Sequence, residues 1–255
     1  MMDKIMIKIN KLIAFLLFVP ALALAAGDHI KLDRAPINEE DQASLQRGAR
    51  HFVNYCLNCH SAGYMRYNRL QDIGLTDQQI RDNLIFTGAK VGDLMKIAMD
   101  PHESKNWFGV APPELSVIAR SRASADGSGA DWLYTYLRGF YRDADRPSGW
   151  NNTVFANVGM PHVLWELQGE QVLAERKVRG EGYMKTEMAL KLDKPGKLSP
   201  VEYDQMVADL VNYLVFMGEP VRTDRKTIGM FVLIALGLLF VLVYALKKEY
   251  WKDVH

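Results

Sequence analysis

This sequence has few cysteines and almost no net charge. Only Cys56 and Cys59 occur among 255 residues, which is too few for a cysteine zinc site or a framework of several disulfides. Lysine and arginine number 31 against 30 aspartates and glutamates, and this balance argues against a nucleic-acid-binding protein. Disorder is excluded as well, because 49% of the residues are hydrophobic. The chain is long enough for one good-sized domain and membrane segments.

Both cysteines belong to one short motif, Cys56-Leu57-Asn58-Cys59-His60. A C-x-x-C-H motif attaches c-type haem, because the thiols add across the porphyrin vinyl groups and the imidazole takes an axial position on iron. If the motif forms one helical turn, Cys56 and His60 lie on the same face. A reducible dithiol or half of a zinc site would not require the neighbouring histidine. The sequence therefore predicts one covalently bound haem c, with His60 as an iron ligand.

The second axial ligand has to come from the twelve methionines or the remaining histidines. Met160 is the preferred candidate, because it lies in a Gly-Met-Pro-His loop where irregular backbone can present a thioether. A methionine ligand raises the reduction potential relative to two histidines, which suits the oxidising end of an electron-transport chain. The competing ligands are His51, His102 and His162. A core-filling role is predicted for the methionines in apolar helical patterns, Met95, Met99, Met188, Met206 and Met217.

The N-terminus has the pattern of a signal peptide. Three lysines, Lys4, Lys8 and Lys11, precede an apolar run from Leu12 to Ala25, and this run ends in small residues with an A-x-A cleavage site. We expect residues 1–25 to be removed after export, with an uncleaved N-terminal anchor as the alternative. Either outcome places the domain that follows outside the cytoplasm, where haem is attached to c-type cytochromes.

Two amphipathic helices are predicted around the motif. Leu45, Ala49 and Phe52 recur at helical spacing, so a helix should deliver the motif at its C-terminal end. Ser199 and Glu202 form a capping box that opens a second helix, which Gly218 closes. We expect these two helices to pack against each other. Shorter helices are predicted from Thr76, around Leu115 to Ala119, and from Asp131 to Phe140, with a flexible segment over residues 124–129.

Arg120 and Arg122 follow a Pro-Pro-Glu-Leu-Ser segment whose double proline enforces extended backbone. Either guanidinium could pair with a haem propionate, because half-buried carboxylates favour a fork of donors. On this pattern alone, a solvated arginine is the commoner case at each position.

The C-terminal region contains twenty residues without a charge, Thr227 to Leu246. At about 1.5 Å per residue, a helix of this length spans about 30 Å, the hydrocarbon thickness of a bilayer. Basic residues flank both ends, so the orientation follows from export of the N-terminus rather than from the charge bias. We therefore predict a haem domain at 26–226, a transmembrane helix at 227–246 and a short cytoplasmic tail at 247–255.

The chain resembles the cytochrome c1 family, the haem subunits of the ubiquinol-cytochrome c oxidoreductase or bc1 complex. The resemblance covers nearly the whole mature chain and rests on a C-terminal anchor and three motifs: Cys56-Leu57-Asn58-Cys59-His60, Ala111-Pro112-Pro113-Glu114-Leu115-Ser116, and Asn152-Thr153-Val154-Phe155 before Gly159-Met160-Pro161. It implies a mostly α-helical, class I cytochrome c-like haem domain with loop insertions and one C-terminal transmembrane helix. It also implies that Met160 is the sixth iron ligand and that Arg122 contacts a propionate.

This sequence departs from the family at two positions. An insertion at Ala123–Gly129 lengthens the segment after Arg122, and Trp132 stands where members often have a tyrosine. The hydroxyl contact that such a tyrosine makes near the haem is therefore not implied for residue 132.

The resemblance implies an electron-relay function. The chain would take an electron from a Rieske iron-sulfur protein and pass it to a c-type cytochrome acceptor, while cytochrome b carries out the quinol chemistry. It needs no catalytic acid, base or nucleophile of its own. The implied location is the bacterial inner membrane, single-pass, with the haem domain in the periplasm. A free-standing, membrane-anchored monohaem carrier is the nearer alternative, and a haem enzyme or gas sensor with an open iron site is the more distant one.

Overall fold

The computed structural model describes residues 30–179 and 184–252. The predicted signal peptide, residues 1–25, lies outside this part of the chain, as do residues 253–255 of the predicted tail.

Helices dominate the described residues, as predicted. The eight α-helices of this part of the chain are α1 (Gln42–His51), α2 (Asp77–Leu84), α3 (Pro101–Phe108), α4 (Ile118–Ser121), α5 (Gly129–Arg138), α6 (Trp165–Gln168), α7 (Pro200–Gly218) and α8 (Arg222–Tyr250). A π-helical turn, Phe52–Cys56, continues α1, and a 3-10 helix covers Tyr67–Ile73. The predicted mostly α-helical architecture with one long C-terminal helix is thereby confirmed.

Within the described residues, three antiparallel two-stranded ribbons connect these helices. Their strands are β1 (Ala62–Arg66) with β2 (Leu94–Met95), β3 (Phe140–Arg142) with β4 (Trp150–Asn152), and β5 (Gly169–Arg179) with β6 (Met184–Pro195). The third ribbon is the longest and pairs Gly169 with Pro195 at its base. The sequence pattern did not predict it.

The first and last helices of the domain, α1 and α7, pack against each other as predicted. Gly48 permits a close approach, since a Cβ atom there would lie 2.1 Å from the carbonyl oxygen of Asp209. The Arg47 guanidinium donates from Nε to Asp209 Oδ2 at 2.6 Å. Burial opposes ionisation of Asp209, but the hydrogen bonds from Arg47 and Ser44 outweigh it and lower its pKa. A close backbone contact and a half-buried ion pair thus hold α1, the helix that leads into the motif, against α7.

Gly48→Ala should destabilise the domain, because the added methyl meets the backbone of α7 and the two helices must move apart. Overpacking of this kind costs about 1–3 kcal/mol, which corresponds to a fall of several degrees in melting temperature for a chain of this size. Gly88→Ala is the matched control, because nothing lies within 4 Å of a Cβ atom there. Thermal unfolding of the two detergent-solubilised variants provides the measurement. Equal melting temperatures would show that α1 and α7 are not tightly packed.

The boundaries of the shorter helices differ from those predicted. The helix capped by Thr76, expected to continue to Gly88, ends at Leu84; its cap is a capping box with Gln79. Leu115 lies before the helix, which begins at Ile118, and its backbone N–H donates to Ser61 O at 2.9 Å. The predicted helix Asp131–Phe140 covers Gly129–Arg138 instead, since Ser128 caps it and Phe140 enters β3.

The segment predicted to be flexible, residues 124–129, forms a defined turn. A β-bridge joins Ser124 and Gly127. Gly129 begins α5 in close contact with the preceding helix, because a Cβ atom there would lie 2.0 Å from Ala119 O. The insertion is therefore packed onto the domain.

Helix α8 contains the predicted transmembrane residues 227–246. The most apolar 18-residue window within its stretch Asp224–Tyr250 has a mean hydropathy of 2.8, and none of that window is buried, so the stretch is long and apolar enough to cross a membrane. Arg222 pairs with Glu39 at 2.7 Å, and Arg225 pairs with Glu219. These ion pairs connect the start of the helix to the haem-motif domain.

Candidate haem-binding site

The C-x-x-C-H motif forms one helical turn, as predicted. The N–H of His60 donates to the carbonyl oxygen of Cys56 at 2.9 Å, which places the first cysteine and the histidine on one face. The π-helical turn before it includes a bond from Leu57 N to Phe52 O, and such turns are frequent at functional sites. Burial, together with the neighbouring Cys59, raises the pKa of Cys56 to about 12. Cys56 and Cys59 are not joined to each other by a disulfide.

His60 is held by the double-proline segment. Its Nδ1 lies 2.7 Å from Pro113 O, and because a carbonyl oxygen only accepts, Nδ1 carries the proton and Nε2 is left as a bare lone pair. Burial lowers the pKa of His60 more than the bond to Pro113 raises it. The imidazole is therefore neutral, which is the form that binds a metal. A hydrogen bond of this type orients a metal-ligating histidine and fixes its tautomer.

Glu114 and Ser116 fasten the double-proline segment to the chain after the motif. The Glu114 carboxylate accepts from Gly63 N at 2.7 Å, and the Ser116 hydroxyl accepts from Tyr64 N at 3.0 Å. These two bonds hold the residues after Pro113, whose carbonyl oxygen contacts His60, against the chain that follows the motif. This explains physically why a stretch of extended backbone accompanies the motif.

A cavity of about 330 Å³ opens beside the motif. Its volume is typical of a cofactor site. The five predicted site residues all line it: Cys56, Cys59, His60, Arg122 and Met160. Most of the remaining wall is apolar and includes Ile118, Leu133, Leu137, Val158, Leu210 and Leu214. An apolar macrocycle with a metal centre and polar substituents fits these walls.

Met160 reaches the cavity from the predicted loop. The buried Asn152 amide shapes the start of this loop, because its Oδ1 accepts from Val154 N at 2.9 Å and its Nδ2 donates to Tyr136 O at 2.8 Å. The thioether of Met160 accepts a hydrogen bond from the Tyr136 hydroxyl, with 3.4 Å between Oη and Sδ. The loop therefore presents the sulfur at a defined position in the wall.

The two candidate arginines are in different surroundings. Arg122 lines the cavity, its guanidinium carbon lies 4.6 Å from the centroid of the Trp132 ring, and its buried Nε has no hydrogen-bond partner among the described residues. A buried donor without a partner is costly, and a carboxylate entering the cavity would satisfy it. Arg120 is exposed and lies 4.0 Å from Glu219, outside the cavity lining. The geometry therefore favours Arg122 for a propionate.

The competing ligands do not belong to the described cavity wall. His162 is buried and stacks on Phe140 with 4.7 Å between ring centroids, and burial lowers its pKa to about 4. His51 stacks on Tyr55, and His102 is exposed.

The predicted core methionines have mixed outcomes. Met95, Met206 and Met217 are buried, as predicted. The prediction for Met188 was wrong, because it lies on strand β6 with 59% of its surface exposed. Met99 is half-buried and lies outside the helices of the described chain.

Sequence reasoning missed Tyr136 as a site residue. Its position within an aromatic-rich helix was visible, but the sequence does not show that its hydroxyl reaches Met160, 24 positions further along the chain.

A helical fold with a C-x-x-C-H turn in the wall of an apolar cavity fits a c-type cytochrome. The sequence matches the model of the Cytochrome C1 family over residues 33–254. It is 50% identical to "Cytochrome c1" of Allochromatium vinosum over 96% of this chain and 98% of that protein, and 51% identical to "Ammonia monooxygenase gamma subunit" of Nitrosomonas europaea over 97% and 99%. "Cytochrome c1" of Rhodospirillum rubrum is 26% identical over 84% and 83%.

The chain belongs to the cytochrome c1 family. This membership supports a c-type cytochrome that carries electrons in bc1 complexes, and it implies a haem cofactor. The apolar helix α8 and the bacterial relatives fit a single-pass membrane protein.

Proposed function

We propose that this chain binds one haem c through thioether bonds from Cys56 and Cys59, with His60 and Met160 as the axial iron ligands and Arg122 against a propionate. The convergence of these five side chains on one apolar cavity carries the proposal. The bound group supplies one-electron chemistry at iron. The chain's own residues fix the imidazole through Pro113, present the thioether and surround the cavity with mostly apolar walls.

The electron would come from a Rieske iron-sulfur protein and leave to a c-type cytochrome, with cytochrome b as the membrane partner. Membership of the family supports this assignment. Phe155 and Val110 line the cavity and are 47% and 52% exposed, so one edge of the site is close to solvent. An edge of this kind allows electron transfer without opening the domain. No side chain has to act as an acid, a base or a nucleophile.

We propose that the chain has the membrane topology predicted from its sequence, in four segments. Residues 1–25 serve as a signal peptide, residues 26–226 form the periplasmic haem domain, residues 227–246 cross the inner membrane, and residues 247–255 form a cytoplasmic tail. The length and exposure of α8 support the single span.

Purification from native membranes tests the assembly. The affinity-tagged chain should co-purify with a cytochrome b and a Rieske protein, and the complex should reduce a c-type cytochrome with quinol. Recovery of the haem protein alone, with full electron transfer, would favour a free-standing carrier. Recovery with monooxygenase subunits instead would support the function named for the relative from Nitrosomonas europaea.

Met160→Leu tests the axial ligand. The near-infrared sulfur-to-iron charge-transfer band of the oxidised protein should disappear and the midpoint potential should fall, because thioether ligation favours reduced iron. Met206→Leu is the control, since Met206 is a buried methionine outside the cavity lining. An unchanged band in the Met160 variant would assign the ligand to another residue.

A further inference from the structure

The methionine loop, residues 153–160, contains a residue in an unusual backbone conformation. Asn157, three positions before Met160, has a φ of 60°, and it is the one non-glycine residue with positive φ among residues 30–179 and 184–252. Left-handed backbone is unfavourable for a residue with a Cβ atom, although asparagine adopts it more readily than most. Such a conformation persists where the surrounding structure determines it. The contacts that hold Asn157 therefore indicate what the turn is for.

The buried side chain of Asn151 holds the backbone N–H of Asn157. Its Oδ1 accepts from Asn157 N at 2.8 Å and from Asn152 N at 2.9 Å. Its Nδ2 donates to Asp143 Oδ2 at 2.7 Å, and Asp143 directly follows strand β3. Asn151 is 7% exposed, so these bonds are shielded from water on most sides. One buried amide thus joins the turn between β3 and β4 to the methionine loop.

The guanidinium of Arg146 holds the other side of Asn157. Its Nη2 donates to Asn157 O at 2.9 Å, and its Nη1 donates to Asn157 Oδ1 at 3.2 Å. A planar fork of donors fits two neighbouring acceptors of this kind. The backbone of Arg146 belongs to the same turn, because its N–H donates to Asp143 O at 3.2 Å and its carbonyl accepts from Gly149 N at 2.8 Å. The N–H, carbonyl and side chain of Asn157 are therefore all bonded to the β3–β4 ribbon and its turn.

Little slack separates Asn157 from Met160. The side chain of Val158 is 4% exposed and lines the cavity. Gly159 is packed so closely that a Cβ atom there would lie 2.8 Å from Val110 Cγ1. Because a residue spans at most about 3.6 Å of extended chain, a change of backbone conformation at Asn157 displaces the sulfur of Met160.

We propose that Asn151 and Arg146 are positioning residues that hold the turn at Asn157 and thereby keep the methionine loop closed when small neutral ligands compete with Met160 for the iron. The inference rests on the proposed role of Met160 as an iron ligand. A competing ligand binds only where the loop is open, so its apparent affinity is proportional to the open fraction. Because the turn contacts protein atoms alone, it favours the closed loop equally in the oxidised and reduced states, and it leaves the midpoint potential unchanged.

Asn157→Ala and Asn157→Gly form a matched pair, since both remove the side-chain amide but only glycine adopts a φ of 60° without a penalty. Imidazole is titrated into the oxidised haem protein and carbon monoxide into the reduced one, with the full chain in detergent. The alanine variant should bind both ligands about fivefold more tightly than the glycine variant, and the midpoint potentials of the two should agree. Equal affinities would overturn the proposal, and so would an increase for one ligand alone.

Asn151→Ala and Arg146→Gln test the two positioning residues themselves. Asn151→Ala leaves a backbone donor without its partner and should raise both affinities about tenfold; Arg146→Gln should raise them less, because Asn157 is exposed. Arg47→Gln is the control, since Arg47 also binds through two nitrogens, to Asp209 at 2.6 and 3.0 Å, and neither residue lines the cavity. It should lower the melting temperature without changing either affinity. An equal rise in the Arg47 and Arg146 variants would mean general loosening, and the proposal would be wrong.

Met160→Leu separates failure of this inference from failure of the proposed function. Without the thioether both ligands should bind tightly, and adding Asn157→Ala should change their affinities no further. If Met160→Leu leaves the charge-transfer band and the imidazole affinity as they were, Met160 is not the ligand. If Met160→Leu abolishes the band while the Asn157 pair and Asn151→Ala bind like the unmodified protein, only the role of the turn is wrong. The Asn157 pair decides the matter even if Asn151→Ala folds poorly, because position 157 is exposed.

Discussion

Replacing both Cys56 and Cys59 by alanine should abolish accumulation of the haem protein. Without thioether bonds the haem is held only by its axial ligands and the cavity walls. If haem does not fill it, the cavity of 330 Å³ lowers the free energy of unfolding by up to about 8 kcal/mol, at about 24 cal/mol per Å³. This penalty is comparable with the whole stability of a typical domain, about 5–15 kcal/mol. We therefore expect unfolding and proteolysis of the double variant.

Acidic acetone extraction and haem staining of denaturing gels measure the outcome. The unmodified chain should keep its haem through both treatments, whereas the double variant should give little stained protein. Asn58→Ala is the matched control, because it changes the same motif without removing a thiol; the exposed Asn58 side chain donates to Asn54 O at 3.3 Å. Complete extraction of haem from the unmodified chain would contradict covalent attachment.

The parts of the fold that the sequence predicted are those with local signals. The C-x-x-C-H turn depends on residues four apart. The cap of α2 is predicted from Thr76, and the cap of α7 from Ser199 with Glu202 three positions later. The apolar stretch of α8 is equally local, since its length and composition decide its character. Each of these features is encoded within one segment of chain.

The parts that sequence reasoning missed depend on contacts between distant segments. The β5–β6 ribbon has no strict alternation along its length, and charged positions such as Glu170 interrupt its apolar residues. Glu170 is ordered by Arg142 and Lys194, whose hydrogen bonds lower its pKa to about 2. The approach of Gly48 to α7 and the bond from Tyr136 to Met160 likewise join residues far apart in sequence. Such pairings become visible only once the chain is folded.

Ion pairs at the start of α8 indicate where the proposed haem domain can be separated from the proposed transmembrane segment. Arg222 pairs with Glu39 and Arg225 pairs with Glu219, so neither bond needs a residue beyond position 225. The described residues of α8 beyond this point are exposed or half-exposed. A truncation that keeps Arg225 therefore retains the contacts of the helix base with the domain.

Truncation after Arg225 should release a soluble haem protein that still exchanges electrons with its c-type acceptor, while quinol-dependent reduction of that acceptor by membranes is lost. The twenty uncharged residues that are removed include Gly229 and Gly237 as small packing positions, and a Cβ atom at either glycine would have no described atom within 4 Å. The span therefore offers a surface for neighbouring helices rather than a chemical group.

Truncation after Tyr250 is the control, since it keeps the whole helix and should keep quinol-dependent activity. Failure of the shorter protein to attach haem would mean that α8 contributes to folding, and full quinol-dependent activity in membranes that contain only the shorter protein would contradict membership in a bc1-type assembly.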